Sequence, residues 1–236
     1  MIGQLLRADL LKIKRKGIWF LTFLGPLGVV GLQMVNYGLR KDYLLQQSGD
    51  HWTQYLGNVH TFTPLALVLG IAILTSFMAS IENETNAWKQ WIALPVTKMS
   101  VYLSKFTVLA FLLFVSSCVL AVSAAVYGKV LGLEGGLPVG DLLRYSFYPL
   151  FAALPLLALQ LWAATVSDNQ GIPITLGVLN VILTFSTFGM PDWMIWKWPL
   201  LNNQWNEPLY SALAGLIFGA LLYVAGMLDF VRRDVK

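Results

Sequence analysis

Six long apolar runs divide this chain, at about 18–38, 62–81, 106–127, 147–166, 171–189 and 209–228, with polar segments between them. A helix that crosses a bilayer needs roughly 20 mostly apolar residues, and each run approaches that length. The pattern predicts an all-α polytopic membrane protein with six transmembrane helices. Only Ser167, Asp168, Asn169 and Gln170 stand between the fourth and fifth runs, which predicts a tight helical hairpin. Pro26 lies in the first run, and Pro149 and Pro155 lie in the fourth. Such prolines are accommodated where neighbouring helices satisfy the freed carbonyls. No repeat of fixed period is visible, and 1–236 reads as a single transmembrane domain with no soluble domain attached. The segment 39–61, which contains His51 and His60, is expected as an outer loop long enough for a small cap.

Composition supports this class. Hydrophobic residues make up 57% of the 236 and charged ones only 12%, whereas a soluble domain carries about 25% charge. The opening MIGQLLRADLLKIKRKG is too polar for the apolar core of a secretory signal, and no small-residue cleavage site follows the first run. Cys118, the only cysteine, lies inside the third run and can form no internal disulfide. The distribution of Lys and Arg sets an expected orientation. Eleven fall on the side of the two termini: Arg7, Lys12, Lys14, Arg15 and Lys16, then Lys89, Lys98 and Lys105, then Arg232, Arg233 and Lys236. Five fall on the other side: Arg40, Lys41, Lys129, Arg144 and Lys197. That bias predicts a plasma-membrane protein with both termini in the cytoplasm. The net charge of +4 is no nucleic-acid signal, because the basic residues gather at the ends and in one loop.

Three polar segments carry more apolar surface than a plain connection needs. In 2–16, Ile2, Leu5, Leu6, Leu10 and Ile13 recur at helical spacing, with Arg7, Lys12, Lys14, Arg15 and Lys16 largely on the other side. This predicts an interfacial helix on the inner leaflet, its basic residues drawn to anionic membrane lipids. The second segment, 82–105, reads ENETNAWKQWIALPVTKMSVYLSK. Glu82, Asn83 and Glu84 are placed to start a helix at its positive end. Trp88, Trp91 and Ile92 then share one side, with Lys89 beside them. Pro95 stops that helix, and Thr97 or Ser100 can cap the next. A rigid element over 82–95 joined to two spanning helices transmits displacement, as a floppy loop would not. The third segment, 190–208, holds Trp193, Trp196, Trp198 and Trp205 around Pro199 and Pro208. It reads as an aromatic belt at headgroup level, or, more sharply, as a short re-entrant or interfacial helical pair.

The six runs contain no Asp, Glu, Lys, Arg or His. Ion-coupled carriers and voltage sensors depend on such groups, so the pattern argues against both. Gln160 and Asn180 are the central polar groups of the fourth and fifth runs. They either join neighbouring helices by hydrogen bonds or line a substrate path. No HExxH motif, carboxylate pair or Ser/Lys dyad lies at membrane depth, and His51 and His60 lack companions for a metal site. There is no catalytic site to assign and no metal or cofactor expected on this chain. No Walker A glycine loop is present either, so energy for uphill movement must come from another chain.

The chain resembles the membrane subunits of ABC exporters of the type-2 permease class. The likeness is carried by LLRADLLKIKRKGIWF, by SIENETNAWKQWIALPVTKMSVYLSKF and by the VRRDVK tail. Within that class it looks most like permeases of lantibiotic immunity and bacitracin resistance. The resemblance implies a partner ATPase that binds ATP and Mg, and a second permease subunit, identical or similar. It also implies a cytoplasmic coupling helix between spans two and three, with Glu82, Glu84, Trp88, Lys89 and Trp91 in or beside the ATPase groove. The expected cargo is amphiphilic. The competing reading is an immunity or sensor subunit that sequesters a peptide without moving it.

Overall fold

The computed structural model describes residues 2–14, 16–46, 50–84, 97–167, 169, 171–187 and 189–233. Among them the chain is all-α, with helices joined by turns and one short 3-10 turn. The helices are α1 (Ile2–Lys14), α2 (Ile18–Gln46), α3 (His51–Glu84), α4 (Lys98–Val130), α5 (Val139–Ala152), α6 (Leu154–Val166), α7 (Gly171–Phe185) and α8 (Pro208–Arg232). Trp198–Leu200 forms the 3-10 turn.

Five stretches are long and apolar enough to cross a membrane: Ile18–Lys41, His51–Ile81, Lys98–Val130, Val139–Val166 and Pro208–Arg232. The sixth expected span, 171–189, is realised as α7 with only 15 residues, about 22 Å of helix. The chain there still runs from one end of the bundle to the other. The end of α6 lies beside the end of α8, through the Trp162 Nε1–H donated to Asp229 at 2.9 Å. The start of α8 lies at the opposite end of the bundle. One end therefore gathers α1 and the C-terminal turns of α3, α6 and α8, and is called here the terminal end. The other gathers the α2–α3 connection and the 186–207 segment.

The expected outer loop 39–61 is largely helical instead. α2 continues to Gln46, with a kink at Arg40 (φ −132°, ψ 25°), and α3 begins at His51. Asp50 provides the reason. Its Oδ1 accepts from the backbone N–H of Trp52 (3.1 Å) and of Thr53 (3.3 Å), and its Oδ2 accepts from the Thr53 hydroxyl at 2.6 Å. This is an N-terminal cap, so His51 and His60 are helical residues rather than loop residues.

The fourth span is one rod broken at Ala153 (φ −89°, ψ −2°) into α5 and α6. Pro155 occupies the first turn of α6, where its missing N–H costs nothing. α8 lies tightly against this break because Gly215 and Gly219 stand one turn apart on its contact face. A Cβ at 215 would overlap the Phe151 carbonyl oxygen and Ala152 Cα, and one at 219 would come within 2.7 Å of Leu154 Cβ. Small residues at this spacing let two backbones approach. The core on the terminal side packs around fully buried Tyr102, whose ring lies 5.5 Å from Tyr223 and 5.6 Å from Phe230. A second apolar cluster, around Tyr37, Trp52 and Tyr55, joins α2, α3 and α4 nearer the other end.

Candidate functional site

The structure offers two candidate regions, the terminal end and an uncharged face. The first includes the last described turn of α3. Glu82, Asn83 and Glu84 are helical and continue α3; the long apolar register of α3 carries the helix through them. Trp88, Lys89, Trp91 and Pro95 lie outside the described residues. The chain resumes at Thr97, whose hydroxyl accepts from Ser100 N–H at 3.2 Å and caps α4, as expected.

From that cap the terminal end is laced together. Lys98 Nζ donates to the carbonyls of Val231 (3.4 Å) and Arg233 (2.5 Å) at the end of α8. Asp229 accepts from Trp162 Nε1 on α6 and from Arg233 Nε, each at 2.9 Å. α1 packs along α4 with Ile13 buried and Leu6 and Leu10 against the same core. Its apolar stripe, expected to face lipid, is therefore turned toward protein, while Arg7, Leu11 and Lys16 stay exposed. Asp9 is the residue that sequence reasoning missed. It is 3% exposed and accepts from the Ser104 hydroxyl of α4 at 2.6 Å, next to buried Lys105. A signal was present: Asp9 continues the 2, 6, 13 stripe, so a carboxylate sits on the apolar face. The described residues on either side of 85–96 belong to α3 and to the cap of α4, and α4 packs against α1 and α8.

The uncharged face is formed by α2, α3 and α7. Between α2 and α3 runs a groove of about 420 Å³, with Leu24, Leu32, Phe62 and Leu69 exposed along it. Between α3 and α7 lies another of about 350 Å³, with Phe77, Ile174, Val178 and Ile182 exposed. Leu69 and Ile73 of α3 form the ridge between the two. Among the described residues no ionisable side chain lines either groove.

Gln160 and Asn180 line neither groove. Gln160 is fully buried and Asn180 is 3% exposed. Gln160 Nε2 donates to the Pro173 carbonyl at 2.7 Å, Asn180 Nδ2 donates to Gln160 Oε1 at 3.3 Å, and Trp196 Nε1–H donates to Asn180 Oδ1 at 2.9 Å. The relay ties α6 to α7 and α7 to the 190–206 segment, which is the geometry of interhelical bonding.

That segment is not a helical pair. It is a chain of turns with the one 3-10 turn, held by side chains. Pro191, Pro199 and Pro208 interrupt any helical ladder. Lys197 Nζ lies 2.6 Å from Asp192 Oδ1 and donates to the Met190 carbonyl at 3.1 Å. Gln204 N–H donates to Asp192 Oδ2 at 2.9 Å, and Trp198 Nε1–H donates to the Asp192 carbonyl at 2.6 Å. The Lys197 hydrogen bond, then the Gln204 N–H, holds the Asp192 carboxyl below its usual range. His60 Nε2 bonds the Leu200 carbonyl at 3.0 Å, which fastens the segment to α3. The tryptophans divide in role: Trp198 is buried and Trp196 bonds Asn180, whereas Trp193 and Trp205 project outward. Among the described residues no cluster of His, Cys, Asp or Glu could hold a metal ion.

Apolar helices that cross and recross, uncharged grooves along one face and polar lacing at the ends define a multi-pass membrane protein. The chain belongs to the family described as ABC-2 family transporter protein, whose model matches residues 5–187, well over half its length. The match runs from α1 to the end of α7. It makes the chain a transport permease of the plasma membrane, in a family whose ATPase activity resides on a partner. Comparison with curated proteins gave no match.

Proposed function

We propose that this chain is the membrane-spanning subunit of an ATP-driven exporter that lifts an amphiphile out of the bilayer. The cargo class is an antimicrobial peptide of the lantibiotic type, or a drug- or lipid-like compound. Both termini lie in the cytoplasm. A separate cytoplasmic ATPase binds ATP and Mg and engages the segment from Glu82 to Pro95, with Trp88, Lys89 and Trp91 at the contact. Two permease subunits, identical or similar, form the translocation unit. When the ATPase subunits close, α3 and α4 tilt together and the α2–α3–α7 face opens outward.

The observation that carries this reading is the pair of grooves without an ionisable lining. A site at membrane depth that handles a hydrophilic ion or solute needs charged or polar ligands. These grooves offer apolar surface, which an amphiphile drawn from the membrane can use. The test is cellular protection against a cationic amphipathic peptide, with the chain expressed beside its ATPase. Protection is expected with the wild-type ATPase and is lost when its hydrolytic residue is replaced. Full protection with the hydrolysis-dead ATPase would overturn export and favour sequestration.

A further inference from the structure

Between the 190–206 segment and the first three turns of α8 lies a cavity of about 680 Å³. It sits away from the termini and beyond the stretch matched to the family. Its floor is apolar: Trp198 and Phe218 meet at a centroid distance of 5.3 Å and an angle of 65°, with Ala214 beside them. Its rim is aromatic and exposed. Trp205 and Tyr210 meet nearly perpendicular at 5.8 Å, and Trp193 is 72% exposed. Asp192 and Gln204 supply polar atoms at the same rim.

We propose that this cavity holds a zwitterionic phospholipid of the adjacent leaflet, with an acyl chain along α8 and the ammonium head against the rim indoles. Tyr210 and Phe218 are about 12 Å apart along the helix, so the cavity runs from headgroup level into the hydrocarbon. Leu213, Ile217 and Leu221 are exposed on α8 itself, so acyl chains already cover that helix in a bilayer and the cavity continues that surface. Charge selects the head. The only basic residue in 190–218 is Lys197, which is committed to Asp192 and to the Met190 carbonyl and does not line the cavity. Among the described residues no cation lines the cavity to favour an anionic head, whereas three aromatic faces attract an ammonium group. These tryptophans wall a concave site built by two segments.

The test uses the full chain, purified and delipidated in detergent, with bound lipid counted by native mass spectrometry. The probes are dioleoylphosphatidylcholine and dioleoylphosphatidylglycerol. One phosphatidylcholine should bind in preference to phosphatidylglycerol, and the double variant Trp193→Ala/Trp205→Ala should bind it about tenfold more weakly. Both indoles are exposed, so the fold should survive. Ala214→Phe, which fills the floor, is the second variant and should lose the same lipid while keeping both indoles. Undiminished binding in both variants, or equal binding of the two lipids, would overturn the proposal. Displacement of the bound lipid by a cationic amphipathic peptide at lower concentration would instead assign the cavity to cargo.

Discussion

The contact between α8 and the α5–α6 break can be tested by adding a single methyl group. In Gly215→Ala the new Cβ would overlap the Phe151 carbonyl oxygen and Ala152 Cα. Both are backbone atoms, so no rotamer change relieves the clash and α8 must move as a unit. Overpacking of this kind costs about 1–3 kcal/mol, and the backbone setting argues for the upper half of that range. Alanine regains about 1 kcal/mol of helix propensity over glycine. The net expectation is a loss of roughly 1–2 kcal/mol. Gly28→Ala is the matched control: no atom lies within 4 Å of its added Cβ, so the propensity gain stands alone and stability rises by up to about 1 kcal/mol. The assay is unfolding of the detergent-solubilised chain, followed by helical circular dichroism against rising SDS. A Gly215→Ala protein as stable as wild type, or a Gly28→Ala protein equally damaged, would refute the close-approach reasoning.

Two further outcomes are expected. The folded pKa of Asp192 lies below its ordinary 3.8, chiefly through Lys197, so the tie it makes is fully present above that ordinary value and is lost as pH falls through the lower folded one. Tryptophan emission followed during acid titration should report release of the 190–206 segment, and Asp192→Asn should abolish that acid transition. Gln160→Leu removes the bonds to Pro173 and Asn180. At about 0.6–2 kcal/mol per interhelical bond, it should cost about 1–4 kcal/mol in the same unfolding assay and raise quenching of Trp196 by acrylamide.

Five of the six expected spans were legible because their cause is compositional: about 20 apolar residues make a crossing helix whatever they pack against. The cap at Thr97 was legible because its partner, Ser100, is three residues away. The direction of the α1 stripe was not. Leu6, Leu10 and Ile13 suit lipid and protein equally, and only the burial of Asp9 against Ser104, 95 positions distant, distinguishes them. The Gln160–Asn180–Trp196 relay was hidden for a similar reason. Each residue was visible as a polar or aromatic exception, but their junction depends on how α6, α7 and the 190–206 segment meet. The outer helical pair failed as an expectation because tryptophan content indicates an interface without specifying backbone shape. The coupling role of Trp88, Lys89 and Trp91 rests on sequence and resemblance, since these residues lie outside those described.

In the proposed function, energy enters through that coupling segment. A photoreactive amino acid at position 88, in the permease assembled with its ATPase in native membranes, tests it most directly. An adduct to the ATPase subunit, formed from the cytoplasmic side, is the expected result. Adducts to lipid alone, or labelling of position 88 from outside the cell, would contradict it.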